Sequence, residues 1–174
     1  PRTSAPDHGY VLFLGTLEPR KNVGTLLAAY ERLLSAPPSG PPEEGGGAKA
    51  GRDIGEDGGR HGRNWSVPEL VLAGKATIES RPWLDRITRV PLAGRVRHVG
   101  YVDRSKRRAL YEGARLLVQP SFEEGFGIPV LEAMTAGVPV VAANRGALPE
   151  VLGDAGLLVD PDDAATARPD RVDV

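Results

Sequence analysis

The chain has 174 residues, of which 40% are hydrophobic and none is cysteine, and its net charge is −1 at pH 7. This length fits one domain with appendages, the near-neutral charge predicts no general attraction to nucleic acid or an anionic membrane, and the lack of cysteine excludes disulfides and thiolate metal sites. Because no apolar run approaches the roughly 20 residues that span a bilayer, and the first residues lack the hydrophobic region of a signal peptide, we expect a cytoplasmic protein.

The first part of the chain predicts a linker, a strand and a helix. Residues 1–9 are polar and are typical of a linker that enters a domain. Tyr10–Leu14 is a continuous apolar run, as expected for a strand covered on both faces. The loop Gly15–Lys21 follows, Asn22 is suited to cap a helix, and apolar residues recur at helical spacing to about Ser35.

Residues 36–63 interrupt this pattern. They include 9 glycines and 4 prolines, and Ile54 is their only large aliphatic residue. Such a segment cannot bury enough apolar surface to offset the entropy lost on ordering. We therefore expect a disordered insertion in a surface loop of a single domain formed by residues 10–163.

Apolar runs and helical patterns then alternate to the end of this domain. Five further strands are predicted, at Glu69–Ala73, Arg95–Val99, Leu116–Gln119, Pro139–Ala142 and Gly156–Val159. Helices are predicted between them, at Thr77–Arg89, from a Ser105 cap to Ala114, from Pro129 to Gly137, and at Leu148–Leu152. His98 lies within a strand and is expected to be structural. Residues 164–174 show no hydrophobic period and are expected to form a flexible tail.

This alternation predicts an α/β fold, a Rossmann-like doubly wound parallel sheet of about six strands. The common strand order in such a sheet is 3-2-1-4-5-6, and ligands bind where the chain reverses direction between strands 1 and 4. That topology brings the loop Gly15–Lys21 beside the loop Ser121–Gly127. The second loop is glycine-rich and leads into a helix, a combination that suits an anion, and Arg20 and Lys21 supply cations.

Two glutamates separated by seven residues, Glu124 and Glu132, break the apolar pattern around the second loop. The stretch 124–133, Glu-Gly-Phe-Gly-Ile-Pro-Val-Leu-Glu-Ala, resembles the signature of the retaining, nucleotide-sugar-dependent glycosyltransferases of family 4. That family has the two-domain GT-B fold. The resemblance extends over Tyr10–Asn22 and Glu69–Asp163, and it implies that the chain is the C-terminal, donor-binding half of a GT-B fold.

The resemblance also implies roles for residues of both loops. An arginine and a lysine of the first loop hold the diphosphate in this family, although its arginine commonly follows the loop's glycine, where this chain has Thr16. Glu124 is expected to face the transferred sugar and Glu132 to accept hydrogen bonds from the ribose. The expected catalytic residues are Arg20, Lys21 and Glu124. The expected donor-binding residues are Gly15, Thr16, Tyr101, Val102, Gly125, Phe126, Gly127, Ile128, Val130, Leu131 and Glu132.

Three of these donor-binding residues depend on structural details. Tyr101 is equally compatible with contact to the nucleotide base and with a place in the core. Val130 and Leu131 are included because N–H groups in the first turn of a helix are free, so that they can present the helix's positive end to a diphosphate.

No carboxylate or histidine cluster with metal-ligand spacing stands out, which agrees with a metal-independent family. We therefore expect no metal and no cofactor, only the nucleotide-sugar donor, and we find no candidate covalent nucleophile. Enzymes of this family hold the acceptor in a separate N-terminal domain, to which no part of this sequence corresponds. We expect sugar transfer to require that domain, so that the isolated chain transfers no sugar. Any peripheral membrane association is expected to occur through the missing domain.

Two other classes of function compete with a transferase. A non-catalytic nucleotide-sugar-binding or interaction module derived from the same fold is the alternative, because the ligand residues are present without the acceptor half. A dinucleotide-dependent oxidoreductase is disfavoured, because no Gly-x-Gly-x-x-Gly sequence follows the first strand.

Overall fold

The structure is a computed structural model that describes residues 9–36 and 67–163. The predicted linker 1–9, apart from Gly9, the predicted insertion 36–63, apart from Ala36, and the predicted tail 164–174 lie outside the described residues.

Six parallel strands form one sheet in the order β3-β2-β1-β4-β5-β6. Their bounds are β1 Tyr10–Leu14, β2 Leu70–Ala73, β3 Val96–Gly100, β4 Ala114–Gln119, β5 Val140–Ala143 and β6 Leu157–Val159. Strand β1 lies at the centre, with Val11 beside Leu70 of β2 on one side and beside Leu116 of β4 on the other. The prediction of a doubly wound sheet with this strand order is confirmed, and the strands end within two residues of their predicted bounds.

Within residues 9–36 and 67–163, five helices connect the strands, and two short 3-10 turns precede the first and second of them. The helices are α1 Val23–Ser35, α2 Arg81–Ile87, α3 Arg104–Gly113, α4 Ile128–Thr135 and α5 Leu148–Leu152. The 3-10 turns are Pro19–Lys21 and Ile78–Ser80. The single helix predicted over Thr77–Arg89 is therefore a 3-10 turn followed by a shorter α-helix.

Of the two predicted helix caps, Asn22 occupies the N-cap position of α1 without making a cap hydrogen bond, and Ser105 is wrong. Asn22 makes no side-chain cap bond to α1; it adopts the left-handed conformation with φ 56°, and its amide nitrogen donates to the carbonyl of Pro161 at 2.9 Å. Helix α3 is capped by Asp103, whose carboxylate accepts from the backbone N–H of Lys106 at 3.1 Å, and Ser105 lies inside the helix. At α3 the sequence offers two residues with similar capping ability, Asp103 and Ser105, whereas at α1 a long-range contact takes up the side chain of Asn22.

The core divides into two clusters, one on each face of the sheet. Alternate residues of β1 point to opposite faces, with Leu12 and Leu14 in one cluster and Phe13 in the other. Helices α3, α4 and α5 cover the first face through Tyr111, Val130, Ala133, Leu148 and Leu152. Helix α1 covers the second face through Val23, Leu26, Leu27 and Tyr30, and residues of α2 pack at its edge. This two-sided burial explains why β1 and β2 read as unbroken apolar runs.

The loops that follow β1, β2 and β3 are fastened to each other. The backbone N–H of Gly15 donates to Ala73, and that of Gly74 donates to Gly100, at 2.9 and 2.8 Å. Gly74 has φ 151°, and a Cβ atom built there would lie 1.8 Å from the carbonyl oxygen of Gly15. His98 Nε2 donates to the Gly74 carbonyl at 2.9 Å, which agrees with a structural role for this histidine. Close backbone approach at Gly74 therefore sets the spacing of the loops at the carboxyl ends of these strands.

Candidate functional site

The loops that follow β1 and β4 meet where the sheet reverses direction, as the topology predicts. The backbone N–H of Phe122 donates to the carbonyl of Arg20 at 2.8 Å, and the Arg20 guanidinium donates to the carbonyl of Glu123 at 3.4 Å. These contacts join segments about one hundred residues apart in the chain. The two loops therefore form one continuous surface at the switch point of the sheet.

A buried ion pair joins the two loops. Lys21 donates from Nζ to Oε1 of Glu124, and only 9% and 8% of the two side chains are exposed. Glu124 Oε1 also accepts from Gln119 Nε2 at 2.6 Å and from Ser121 Oγ at 3.1 Å. Charges are seldom buried without a partner and further hydrogen bonds, and this carboxylate has both.

Gln119 and Ser121 belong to this cluster, although the sequence analysis did not select them as site residues. Both are completely buried, and Gln119 Nε2 also donates to Ser121 Oγ at 3.1 Å. One signal in the sequence was available, because Gln119 is a polar residue at the end of the apolar strand residues Leu116–Val118. Ser121, three residues before Glu124, carries no such signal, because Ser is common in loops.

The second glutamate is held by α3. Tyr111 donates from its hydroxyl to Oε2 of Glu132 at 2.9 Å, and Arg107 donates to Oε1 at 3.4 Å. Tyr111 is almost fully buried, and burial, followed by the hydrogen bond to Glu132, raises the pKa of its hydroxyl above the ordinary value. The phenol therefore stays protonated and remains a hydrogen-bond donor over the whole neutral pH range. Tyr111 and Arg107 are not among the predicted site residues, because nothing in their spacing indicates a partner on another helix.

Two neighbouring clefts open beside these residues, and Arg107 and Ile128 line both of them. The smaller cleft has a volume of about 330 Å³ and lies at the carboxyl ends of the strands, between Leu14, Gly15, Thr16, Ala73, Gly74, Lys75, Tyr101, Val102, Arg107, Ile128 and Pro129. The larger is a groove of about 1120 Å³ between α3 and α4, and Tyr111, Leu131 and Glu132 are among the residues that line it. Seven predicted donor-binding residues line these clefts: Gly15, Thr16, Tyr101 and Val102 the smaller, Leu131 and Glu132 the larger, and Ile128 both. The other four, and the predicted catalytic residues Arg20, Lys21 and Glu124, line neither.

The structure answers the question left open for Tyr101. Its side chain is 72% exposed and lines the smaller cleft together with Val102, so a place in the core is wrong. Gly15 and Thr16 line the same cleft, and the stem of Lys21 passes within 3.8 Å of where a Gly15 Cβ would lie. These four predicted donor-binding residues are therefore adjacent in space.

The expectation that Val130 and Leu131 offer free N–H groups is wrong. Both N–H groups donate to the carbonyl of Gly127, at 2.9 and 3.2 Å, so neither is available to an anion. The Val130 side chain is fully buried in the core, whereas Leu131 is partly exposed in the groove. The physical reason is that α4 begins at Ile128, one residue before the predicted start at Pro129. The N–H of Leu131 therefore makes the first regular i→i−4 bond of the helix, and that of Val130 makes a tighter i→i−3 bond to the same carbonyl.

The remaining predicted residues belong to the two loops and line neither cleft. Arg20 lies at the edge of the site, with its side chain 46% exposed and its Nε atom donating to Glu18 at 2.7 Å. Its part in replacing the family arginine at the Thr16 position stays a prediction. Gly127 has φ 67°, and a Cβ there would lie 3.2 Å from Leu148, so the fold itself requires this glycine. A Cβ at Gly125 would meet nothing within 4 Å, and the neighbouring Phe126 is 62% exposed.

Two features of other site classes are absent from residues 9–36 and 67–163. These residues contain no group of three or more histidine, aspartate or glutamate side chains placed to hold a metal ion. None of the helices in the same two ranges is both long enough and apolar enough to cross a membrane.

The chain is similar to proteins of known class. The O-antigen chain mannosyltransferase B of Escherichia coli is 39% identical over 155 residues, an alignment that covers 89% of this chain and 34% of the relative. Among solved structures, the C-terminal domain of the glycosyl transferase group 1 family protein LpcC from Francisella tularensis is 21% identical with a TM-score of 0.66, over 93% of this chain and 72% of that one. Anabaena HepE, in complex with UDP, is 24% identical with a TM-score of 0.60, over 90% and 36%.

These similarities agree with the fold expected from the sequence. The sheet matches that of a C-terminal domain of a GT-B glycosyltransferase, and the chain spans about a third of the length of the mannosyltransferase it matches. The family model for glycosyl transferases group 1 matches residues 61–169, more than half of the chain. On this match, the protein belongs to the glycosyl transferases group 1.

Proposed function

We propose that this chain is the donor-binding domain of a retaining glycosyltransferase, and that it binds a nucleotide-diphosphate sugar. The observation that carries the proposal is the buried pair of Lys21 and Glu124, which joins two loops at the switch point beside a cleft of about 330 Å³. Similarity to a mannosyltransferase and to a structure with bound UDP supports the same ligand class.

The arrangement suits the chemistry of a departing diphosphate. Breaking the bond between the anomeric carbon and the diphosphate develops negative charge on the leaving phosphate, which a fixed cation stabilises. Lys21 is held in place by the chain, and Arg20 lies next to it at the edge of the site. We assign both cations to the diphosphate, with Arg20 taking the part of the family arginine at the Thr16 position.

The two carboxylates serve the two sugars of the donor in this proposal. Glu132 lies in the groove beside α3 and accepts from the ribose hydroxyls, and Glu124 accepts from the transferred sugar. Three donors already surround one oxygen of Glu124, which suits a hydrogen-bond acceptor better than an attacking nucleophile. Retention then follows from departure and attack on the same face, with the acceptor's proton passing to an oxygen of the leaving diphosphate and no metal taking part.

The acceptor is assigned to a separate N-terminal GT-B domain. The chain alone is expected to bind a nucleoside diphosphate and to transfer no sugar at an appreciable rate. Calorimetric titration with UDP, GDP and ADP, and then with their sugar conjugates, tests the binding and identifies the base. Failure to bind any of these ligands would contradict the proposal, and efficient transfer by the purified chain would show that no acceptor domain is needed.

A further inference from the structure

Gln119 is expected to destabilise the fold at its position. It ends β4, is completely buried, and follows strand residues that are mostly apolar. Its amide nitrogen donates to Glu124 and to Ser121, but its Oε1 atom is buried without a hydrogen-bond partner among the described residues. An unpaired buried carbonyl destabilises a fold, so packing alone does not explain an amide here. What the amide provides is its contact with Glu124.

All the hydrogen bonds that Glu124 accepts through its side chain converge on one oxygen. Lys21, Gln119 and Ser121 donate to Oε1, and no donor in residues 9–36 and 67–163 reaches Oε2. A carboxylate accepts at both oxygens, so Oε2 keeps its capacity for a ligand hydroxyl.

The three donors differ in how well they fix an orientation. A lysine ammonium is a point charge on a flexible stem, and it attracts a carboxylate without setting the plane of the carboxylate group. Directional hydrogen bonds come from the buried side chains of Gln119, at the end of a central strand, and of Ser121. They therefore supply the geometry that the charge of Lys21 does not.

We propose that Gln119 and Ser121 are positioning residues that hold Oε1 of Glu124 and leave Oε2 directed to a hydroxyl of the transferred sugar. This inference rests on the proposed function, because it assigns Glu124 to the sugar of a nucleotide-sugar donor. It adds two residues that act through Glu124 and do not touch the ligand themselves.

The test compares a nucleoside diphosphate with its sugar conjugate in the full chain. Gln119→Met and Ser121→Ala are titrated with GDP and GDP-mannose, and with UDP and UDP-glucose, beside the parent and Glu124→Ala. The affinity of each variant for the sugar conjugate is expected to fall about two- to tenfold, as for the loss of one hydrogen bond, with nucleoside diphosphate binding unchanged within about twofold. Leu117→Met, a buried change on the same strand, is the matched control and should leave both affinities unchanged.

The outcomes separate this inference from the function on which it rests. A parent that binds none of GDP, UDP and ADP overturns the proposed function, and the inference with it. Selective loss of the conjugate in Glu124→Ala but not in Gln119→Met or Ser121→Ala overturns the positioning role alone. Equal weakening of both ligands also overturns it, because a structural defect affects every ligand. Thermal unfolding of each variant identifies one that does not fold, and the other variant then decides.

Discussion

At the scale of single residues, the site consists of two carboxylates that are held independently. Glu124 is bonded by Lys21 and by the end of β4, and Glu132 is bonded by two side chains of α3. The two sets of partners share no residue. Removing a partner of Glu124 and removing a partner of Glu132 are therefore expected to lower the affinity for different ligands. A ligand series that separates ribose, diphosphate and sugar therefore reports on each set separately.

Replacing Lys21 by alanine should weaken diphosphate ligands and spare the nucleoside. Loss of one charged hydrogen-bond partner costs roughly 1.5–3 kcal/mol, about ten- to a hundredfold in affinity. Isothermal titration with guanosine, GDP and GDP-mannose measures this pattern. Lys106→Ala, at a largely exposed lysine, serves as the charge-matched control. Tight GDP binding by Lys21→Ala would mean that the diphosphate lies elsewhere.

Replacing Tyr111 by phenylalanine should weaken ribonucleoside diphosphates but not their 2′,3′-dideoxy analogues. The hydroxyl of Tyr111 orients Glu132, and a dideoxy ligand has no ribose hydroxyl for Glu132 to accept from. The expected loss is about two- to tenfold, smaller than in Glu132→Ala, which removes the acceptor itself. Tyr10→Phe is the matched control, because its hydroxyl donates to the Leu110 carbonyl outside the two clefts. Equal losses for both ligand types in Tyr111→Phe would contradict the assignment.

At the scale of elements, hydrophobic periodicity predicts the strands and helices well. Helix caps, which are predicted from single polar residues, are predicted less well. The apolar run Tyr10–Leu14 is typical of a strand buried on both faces of a sheet, and the bounds of β1 agree with the prediction. Asn22 and Ser105 were predicted as caps, but a contact with Pro161 occupies the first and Asp103 caps the helix in place of the second. Capping is decided by one hydrogen bond, which partners far along the chain readily redirect.

Gly74→Ala tests the close approach that spaces the loops after β1 and β2. The new Cβ would overlap the Gly15 carbonyl at a φ of 151°, so we expect a loss of more than about 2 kcal/mol of unfolding free energy. Gly94→Ala has a φ of 74° but nothing within 4 Å of the new atom, so strain alone should cost about 1 kcal/mol. Urea unfolding of both variants measures the difference. Equal costs would show that the loops yield to the added atom.

At the scale of the whole molecule, the topology was predictable and the site only partly so. Strand order follows from the alternation of elements, and this order brought Lys21 to Glu124. Tyr111 was not predictable, because its role depends on a contact made only after the chain folds, whereas Gln119 carried a signal as a polar residue at the end of an apolar strand. The N–H groups of Val130 and Leu131 were misjudged because the start of α4 was predicted at Pro129, one residue too late, and the first residue of a helix is poorly defined by sequence.

Deleting residues 36–63 and joining the ends with a short Gly/Ser linker should preserve cooperative unfolding. A doubling of loop length changes the closure entropy by only about 0.6 kcal/mol, so the insertion has little effect on stability through its length. The deletion must keep Val67 and Pro68, because Val67 packs against the core and Pro68 accepts from the Tyr30 hydroxyl at 2.6 Å. Thermal unfolding checks the result, and a variant without a cooperative transition would show that the segment belongs to the core.

The bond from Asn22 to Pro161 bears on where this domain can be cut for expression. Asn22 directly follows Arg20 and Lys21 and is buried, and its amide nitrogen has its acceptor 139 residues further along the chain. A fragment that stops before Pro161 would leave this amide without its acceptor next to the two cations. The shortest fragment that keeps the loop Gly15–Lys21 in its conformation should therefore extend past β6 to residue 161 or beyond.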